Sequence, residues 1–370
     1  MAVGQLSVAG YRSIRDLHLE LGRLTVIVGP NGCGKTNLYR SMLLVAAAAN
    51  GSFARTLADE GGMPSVLWAG RRSRSPLRMS IGIDLEDLGY EISCGLVPRV
   101  PGESGHFALD PEVKEEHVWA IEKRRRLVLL ERKDRSAFLR DANGDRVTFP
   151  ASLWPAESVL AQLQEPHRFP VLSQFRSEFQ SWRFYHQFRT DLDAPVRQPQ
   201  IGIRTPVLSH DGRDLAAALQ TIIDIGDARA LQRGVDLAFP GSSIHVEAPQ
   251  GRFSLFMQIP GITRPLDARE LSDGTLRYLC LLAVALSPRP PALLALNEPE
   301  TSLHPDLLEP VAQLLANAAE RTQLLVTTHS DVLASLIQKM GGAKHIRLEK
   351  VDGETRVTTD TENEAGERGA

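Results

Sequence analysis

The sequence predicts an α/β protein: a mostly parallel sheet flanked by helices and built from both ends of the chain, with an antiparallel β-rich and helical lobe inserted between them. Two observations at the N-terminal end and one further on lead to this. The run LTVIV (Leu24–Val28) is β-branched and apolar, as a strand covered on both faces must be. It stops at a Gly-Pro-Asn-Gly turn, after which Leu38, Met42 and Val45 recur at helical spacing. From Leu266 onward helix and strand patterns alternate again, whereas residues 51 to 260 read mainly as polar–apolar alternation.

In chain order, residues 5–9 and 17–21 are expected to form short strands ahead of the buried one. Within the middle block, MSIGIDL (79–85), YEISCGL (90–96) and RLVLLER (126–132) read as antiparallel strands, with Asn143-Gly144 as a hairpin-type turn. Residues 157–188 turn helical and aromatic, ending in SWRFYHQF, and no sustained heptads point to a long coiled-coil arm. Then come the helix LSDGTLRYLCLLAVAL, the strand PALLALNE, a helix starting near Pro305, the strand QLLVTTHS and a last helix over 331–339. Residues 351–370 are polar and acidic and are expected to be disordered. The expected organisation is therefore a head made of 1–50 and 261–350, an inserted lobe of 51–260, and a tail.

The bulk properties narrow the class of protein. Of 370 residues, 42% are hydrophobic and 24% charged, which allows a sizeable core, and a net charge of −3 gives no overall basic footprint for nucleic acid. Basic residues do cluster locally, in GRRSRSPLR (70–78) and KRRR (123–126), which could meet DNA phosphates or simply form solvated faces. Cys33, Cys94 and Cys280 lie far apart and make neither a metal-ligand pair nor a disulfide framework, which suits a reducing cytoplasm. The N-terminus lacks a basic segment followed by an apolar stretch, and no apolar run approaches the ~20 residues needed to cross a bilayer, so neither a signal peptide nor a membrane partner is expected.

Gly29, Pro30, Asn31, Gly32, Cys33, Gly34, Lys35 and Thr36 fill every fixed place of G-x-x-x-x-G-K-[ST], and Asn37 follows on the same helix start. A strand, a glycine loop and a helix N-terminus in that order offer backbone N–H groups and a positive dipole end to an anion. In that frame Lys35 reaches the β- and γ-phosphates and the Thr36 hydroxyl ligates Mg²⁺. A later apolar strand ends in Asn297-Glu298-Pro299-Glu300, which places Glu298 at a carboxyl end where ligands collect in open parallel sheets, as a base or water-positioner. His329 ends the next strand, where an imidazole can touch the γ-phosphate or the attacking water. Ser272 and Gly274 open a strongly apolar helix, a second anion-binding N-terminus. The plainer alternatives are a surface glutamate and a helix-capping histidine.

The order GPNGCGKT, LSDGT at a helix start, an apolar strand leading into EPETSLHP, and TTHS resembles the ATP-binding-cassette (ABC) ATPases. Within them the chain looks like the RecF/SMC group, especially the short stand-alone bacterial AAA-type ATPases related to the ATPase half of OLD-family proteins. The likeness covers residues 1–50 and about 260–340. It implies a P-loop NTPase fold with an ABC/RecF-like head, ATP and Mg²⁺ as cofactors, and a head-to-tail homodimer closing on two ATP molecules. Each site would join Gly29, Gly32, Gly34, Lys35 and Thr36 of one subunit to Ser272 and Gly274 of the other. Glu298 would polarise the attacking water, His329 would be the switch histidine, and residues 301–305 would match the D-loop.

One departure is notable: Asn297 stands where the family usually has the Walker B aspartate, so an amide oxygen replaces a carboxylate near the metal. Slow hydrolysis is expected. The resemblance leaves DNA, in repair or phage defence, and a separately encoded effector protein as candidate partners, the latter for a nucleotide-sensing regulator with little turnover. The stretch after His329 is too short for a Toprim nuclease domain, and the long insertion and L-H-P sequence are unlike a transporter cassette. Trp182, Phe184 and Tyr185 could stack bases or belong to the core, and Gln162, Gln164 and Gln174 are equal candidates for the family's metal-coupling glutamine.

Overall fold

Alternation of period two becomes strand at the N-terminus of the computed structural model, which describes residues 1–71, 77–97, 106–122, 125–149 and 152–358. β1 (Val3–Tyr11) turns Leu6 and Val8 inward and pairs antiparallel with β2 (Ile14–Glu20), Leu6 opposite Leu19 and Val8 opposite Leu17. β3 (Leu24–Val28) is buried at every residue and runs into the glycine loop and α1 (Lys35–Asn50). Two short helices, α2 (Phe53–Asp59) and α3 (Met63–Val66), lead to β4 (Arg78–Leu85), β5 (Leu88–Leu96), β6 (Pro111–Glu122), β7 (Arg125–Lys133), β8 (Ser136–Arg140) and β9 (Arg146–Thr148). Then follow α4 (Val159–Gln162), α5 (Pro170–Ser181), β10 (Arg183–Tyr185), β11 (Gln200–Ile201), α6 (Leu215–Ile225) and α7 (Ala228–Ala238). The strands β12 (Ser243–Glu247), β13 (Arg252–Gln258) and β14 (Leu266–Asp267) precede α8 (Asp273–Ala285), β15 (Leu293–Asn297), α9 (Leu308–Ala318) and β16 (Gln323–Thr328). The last elements are α10 (Asp331–Gly341), β17 (Lys344–Val351) and β18 (Glu354–Val357).

These elements form two compact units, one of Met1–Gly22, Gly29–Trp182 and the stretch from Ile346, the other of Arg23–Val28 and Arg183–His345. The first holds an antiparallel sheet in the order β2-β1-β4-β5-β6-β7-β8-β9. Its interior includes Tyr90, Phe175 and Phe179, with the Tyr90 and Phe179 rings 5.4 Å apart, edge to face. Glu116 and Arg132 are fully buried there. The carboxylate is satisfied by the Tyr90 hydroxyl (3.0 Å), the Val159 N–H (2.8 Å) and the Ser158 hydroxyl, so the charge is held by hydrogen bonds as burial demands.

The second unit is where parallel strands gather, in the order β10-β15-β16-β3. Leu294 pairs in register with Leu324, and Leu324 with Leu24. Leu276, Leu279, Leu282, Val311, Leu315, Val326 and Leu333 belong to its core. Residues 51–182 of the expected inserted lobe thus lie with the N-terminal strands, and residues 183–260 with the parallel strands.

One expectation changes, and two readings left open are narrowed. The tail does not begin at residue 351, because β17 and β18 form a hairpin with Leu348 opposite Val357 and with Thr355 only 1% exposed. Its turn is Asp352-Gly353 with φ of 51° and 83°, the Asp-Gly hairpin signal that the acidic composition obscured. Residues 359–370 lie outside the described residues. Trp182 and Tyr185 are core, 3% and 4% exposed, and offer no stacking platform. Of the basic clusters, residues 72–76 and 123–124 lie outside the described residues, while Arg78 pairs with Glu115 at 2.6 Å and Arg126 lies over the Trp119 ring. No helix among the described residues is long and apolar enough to cross a membrane.

Candidate functional site

The glycine loop belongs to the first unit. Its turn is closed by the Cys33 N–H donating to the Pro30 carbonyl (3.3 Å), and Gly32 and Gly34 have φ of 79° and 114°, where a side chain is disfavoured. Gly34 caps α1 by accepting from Asn37 N (3.0 Å) and Leu38 N (3.2 Å). A Cβ on Gly29 would stand 2.3 Å from the Leu348 carbonyl oxygen, so only glycine fits there. Pro30, Asn31 and Gly32 form an exposed lip, while Cys33, Gly34 and Lys35 lie inside.

Lys35 is 4% exposed, and its ammonium donates to the Gly29 (2.7 Å) and Pro30 (3.1 Å) carbonyls. It has no ion pair among the described residues. A buried cation held only by carbonyl dipoles is electrostatically incomplete, and a phosphate oxygen is the group that would complete it. Thr36, half-buried at the start of α1, makes no side-chain hydrogen bond among the described residues.

The second unit carries the strand-end cluster. Asn297, 8% exposed, accepts from the Thr327 hydroxyl through Oδ1 (2.9 Å). Glu298 follows with φ of 49°, an uncommon backbone for a non-glycine residue, held by its N–H donating to the Thr327 carbonyl (2.8 Å). Its side chain is 30% exposed and its Oε2 is 3.9 Å from His329 Nδ1.

Glu300 is quite different, with a side chain only 6% exposed. Its Oε1 accepts from the Thr328 hydroxyl and the His329 N–H (3.1 Å) and lies 3.2 Å from His329 Nδ1, while Oε2 is buried without a hydrogen-bond partner among the described residues. The Nδ1 edge of the imidazole thus faces the Glu300 and Glu298 carboxylates, and Nε2 makes no hydrogen bond among the described residues. Sequence reasoning quoted Glu300 but gave it no role, although its place two residues past Glu298 was the available signal.

The helix-start motif is in the same unit. Ser272 is exposed and caps α8, its Oγ accepting from Thr275 N (3.1 Å). The turn before it is fastened by Arg197, whose guanidinium donates to the Ala268 (3.0 Å) and Leu271 (2.8 Å) carbonyls and to Asp273 Oδ1 (2.6 Å). No local pattern pointed to Arg197. A Cβ on Gly274 would come 3.1 Å from the Ser302 carbonyl, and Arg277 donates to the Thr301 carbonyl (3.0 Å), so the segment after Glu300 seats against the start of α8.

Gly29 to Asn37 thus lie in one unit, and Ser272, Gly274, Asn297, Glu298 and His329 in the other. The three glutamines are tied up locally. Gln162 bonds the Trp154 N–H and the Glu157 carbonyl, Gln164 the Ala161 carbonyl, and Gln174 the Met1 sulfur. Among the described residues no group of three His, Cys, Asp or Glu side chains could hold a metal.

A phosphate loop in one unit, and a parallel sheet with an acidic strand end and a capped serine helix in the other, are the parts of a P-loop ATPase of the AAA type. Residues 24–335 match the AAA_21 family, described as "AAA domain, putative AbiEii toxin, Type IV TA system", and the chain belongs to that family.

Among solved structures, an SmcHead bound to the C-winged helix domain of ScpA aligns with a TM-score of 0.57 and 16% identity, covering 99% of this chain and 100% of that one. An Smc head domain with an extended coiled coil bound to the C-terminal domain of ScpA, from Pyrococcus furiosus, gives 0.53 and 15%, covering 99% and 98%. At these identities the likeness is one of fold.

Two curated proteins match over short stretches. The OLD nuclease of Thermus scotoductus is 51% identical over 41 residues, and a sulfate/thiosulfate import ATP-binding protein of Cucumis sativus is 46% identical over 44. Each stretch is 11% of this chain; they make up 8% and 13% of those two proteins.

Proposed function

We propose that this protein binds ATP in the loop 29–36 and hydrolyses it slowly, and that ATP joins two copies head to tail. The buried Lys35 ammonium, paired among the described residues with carbonyl oxygens only, is the observation that supports this best. On binding, Lys35 exchanges carbonyl contacts for phosphate oxygens, and the N–H groups of the loop and the first turn of α1 take the remaining charge. Glu298 orients and deprotonates the attacking water. His329, with Nδ1 on the side of Glu300, presents Nε2 to the γ-phosphate or that water. Ser272 and Gly274 of the second copy close the far side of the triphosphate.

Thr36 and Asn297 would hold Mg²⁺, which when bound neutralises charge developing on the phosphates. The Thr36 hydroxyl is unengaged among the described residues and Asn297 Oδ1 keeps a second lone pair beside its Thr327 contact, so each carries an oxygen of the kind this ion takes, though neither brings a formal charge. Asn297→Asp is expected to raise Mg²⁺ affinity about tenfold and to speed phosphate release, since a carboxylate about 5 Å from a dication interacts more strongly than an amide by about 1.5 kcal/mol once water screens the pair. A Mg²⁺ titration of phosphate release in the two proteins checks this, and equal midpoints and rates would remove the handicap assigned to Asn297.

Dimerisation is tested by measuring the mass of a Glu298→Gln variant by light scattering with ATP and Mg²⁺, with ADP, and with duplex DNA added. A doubling with ATP alone is the expected result; one mass under every condition would count against a serine acting in trans. The uncharged Asn297 also favours a second reading, a nucleotide-sensing regulator that retains ATP and governs a separately encoded protein. In that case single turnover would proceed while multiple turnover stalled.

A further inference from the structure

The C-terminal hairpin touches the phosphate loop of its own unit in a way that neither the fold nor the motif requires. Thr355 Oγ1 donates to the Cys33 carbonyl (2.8 Å). With its one proton committed, it must accept from Ser13 Oγ (2.7 Å), and Ser13 Oγ in turn accepts from Asn37 Nδ2 (2.8 Å). The result is a one-way relay from the Asn37 amide through Ser13 and Thr355 to the Cys33 carbonyl, in which each link polarises the next. The hairpin backbone is fixed too, because the Thr355 N–H donates to the Ser13 carbonyl (2.7 Å). Thr355 is 1% exposed, and a Cβ on Gly34 would stand 2.1 Å from its Oγ1, so the side chain fills the space that this glycine leaves.

The carbonyl and N–H of one trans peptide point in opposite directions. Cys33 O and Gly34 N–H belong to the same peptide, so holding the oxygen on Thr355 turns the N–H away from the hairpin. That N–H has no acceptor among the described residues although Gly34 is buried. A buried donor without a partner is costly and is suited to an anion.

We propose that Thr355 is a positioning residue of the phosphate loop: its hydroxyl sets the Cys33–Gly34 peptide so that the Gly34 N–H is presented to a nucleotide phosphate. The inference rests on the loop 29–36 being the ATP site. It makes ATP affinity depend on a strand more than three hundred residues away in sequence.

The full chain is compared with Thr355→Val, which keeps the shape and removes the hydroxyl, with Thr355→Ser, which restores it, and with Lys35→Ala. Binding of a fluorescent ATP analogue, KM and kcat for ATP, and the unfolding midpoint are measured for each. Valine is expected to weaken binding about five- to tenfold, the worth of one hydrogen bond, and to raise KM by as much with kcat little changed. Serine is expected to return both to within about twofold of the parent. Should valine not fold, Thr355→Ala is held to the same criteria.

If the parent fails to bind ATP, the reading of the loop is wrong. If the parent binds, Lys35→Ala does not, and Thr355→Val binds like the parent, only the role of Thr355 falls. Serine as weak as valine, or a fall in kcat at constant KM, would also overturn it.

Discussion

Glu298→Gln is expected to cut ATP turnover by about 10²- to 10⁴-fold, the usual contribution of a general base, while ATP affinity stays within about twofold of the parent. Glutamine has the same shape and can still orient water, but it cannot take the proton. The backbone at Glu298 supports a specific role: φ of 49° is maintained by the N–H bond to the Thr327 carbonyl at the end of the adjacent strand, and this leaves the carboxylate partly exposed. A glutamate with only a solvating role would need no such backbone. Single-turnover phosphate release, with nucleotide occupancy measured in parallel, separates the chemical step from binding. An unchanged rate at full occupancy would rule out Glu298 as the base.

Lys35→Ala should lower ATP affinity by at least about 100-fold, since hydrogen bonds to a charged group contribute ~1.5–3 kcal/mol each and every 1.4 kcal/mol is tenfold. The ammonium is already desolvated, so phosphate gains a full charge contact with little further loss of water. Thermal unfolding gives the readout. Ligand present at ~100 times its Kd stabilises the native state by ~2.7 kcal/mol, so ATP should raise the parent's unfolding midpoint and leave that of the variant where it was. A variant still stabilised by ATP would show that the buried lysine is a packing feature.

The parts of the site that could be read from the sequence are those whose chemistry is local. The phosphate loop announces itself because strand, glycines, lysine and helix start must be contiguous, and Asn297, Glu298 and His329 because each closes an apolar strand. Glu300, Arg197 and Thr355 could not be assigned in this way. Their meaning lies in partners that are remote in sequence or come from the backbone: carbonyls for Arg197, a histidine on the next strand for Glu300, a loop carbonyl for Thr355. Composition misled at the C-terminus, where an acidic stretch hid the Asp-Gly turn of a buried hairpin. The aromatic residues near 182 could be read from sequence as core or as a stacking surface, and burial of Trp182 and Tyr185 assigns those two to the core.

Arg197 also donates to the Thr190 carbonyl (2.9 Å), and Arg277 reaches the Thr190 hydroxyl (3.3 Å). One planar cation thereby lashes the segment near residue 190 to the turn ahead of Ser272, and the following helix holds the same segment by a second arginine. Residues 189–191 and the turn ahead of the exposed serine are thus one tied assembly, so a displacement of either strains the other before it reaches any helix hydrogen bond.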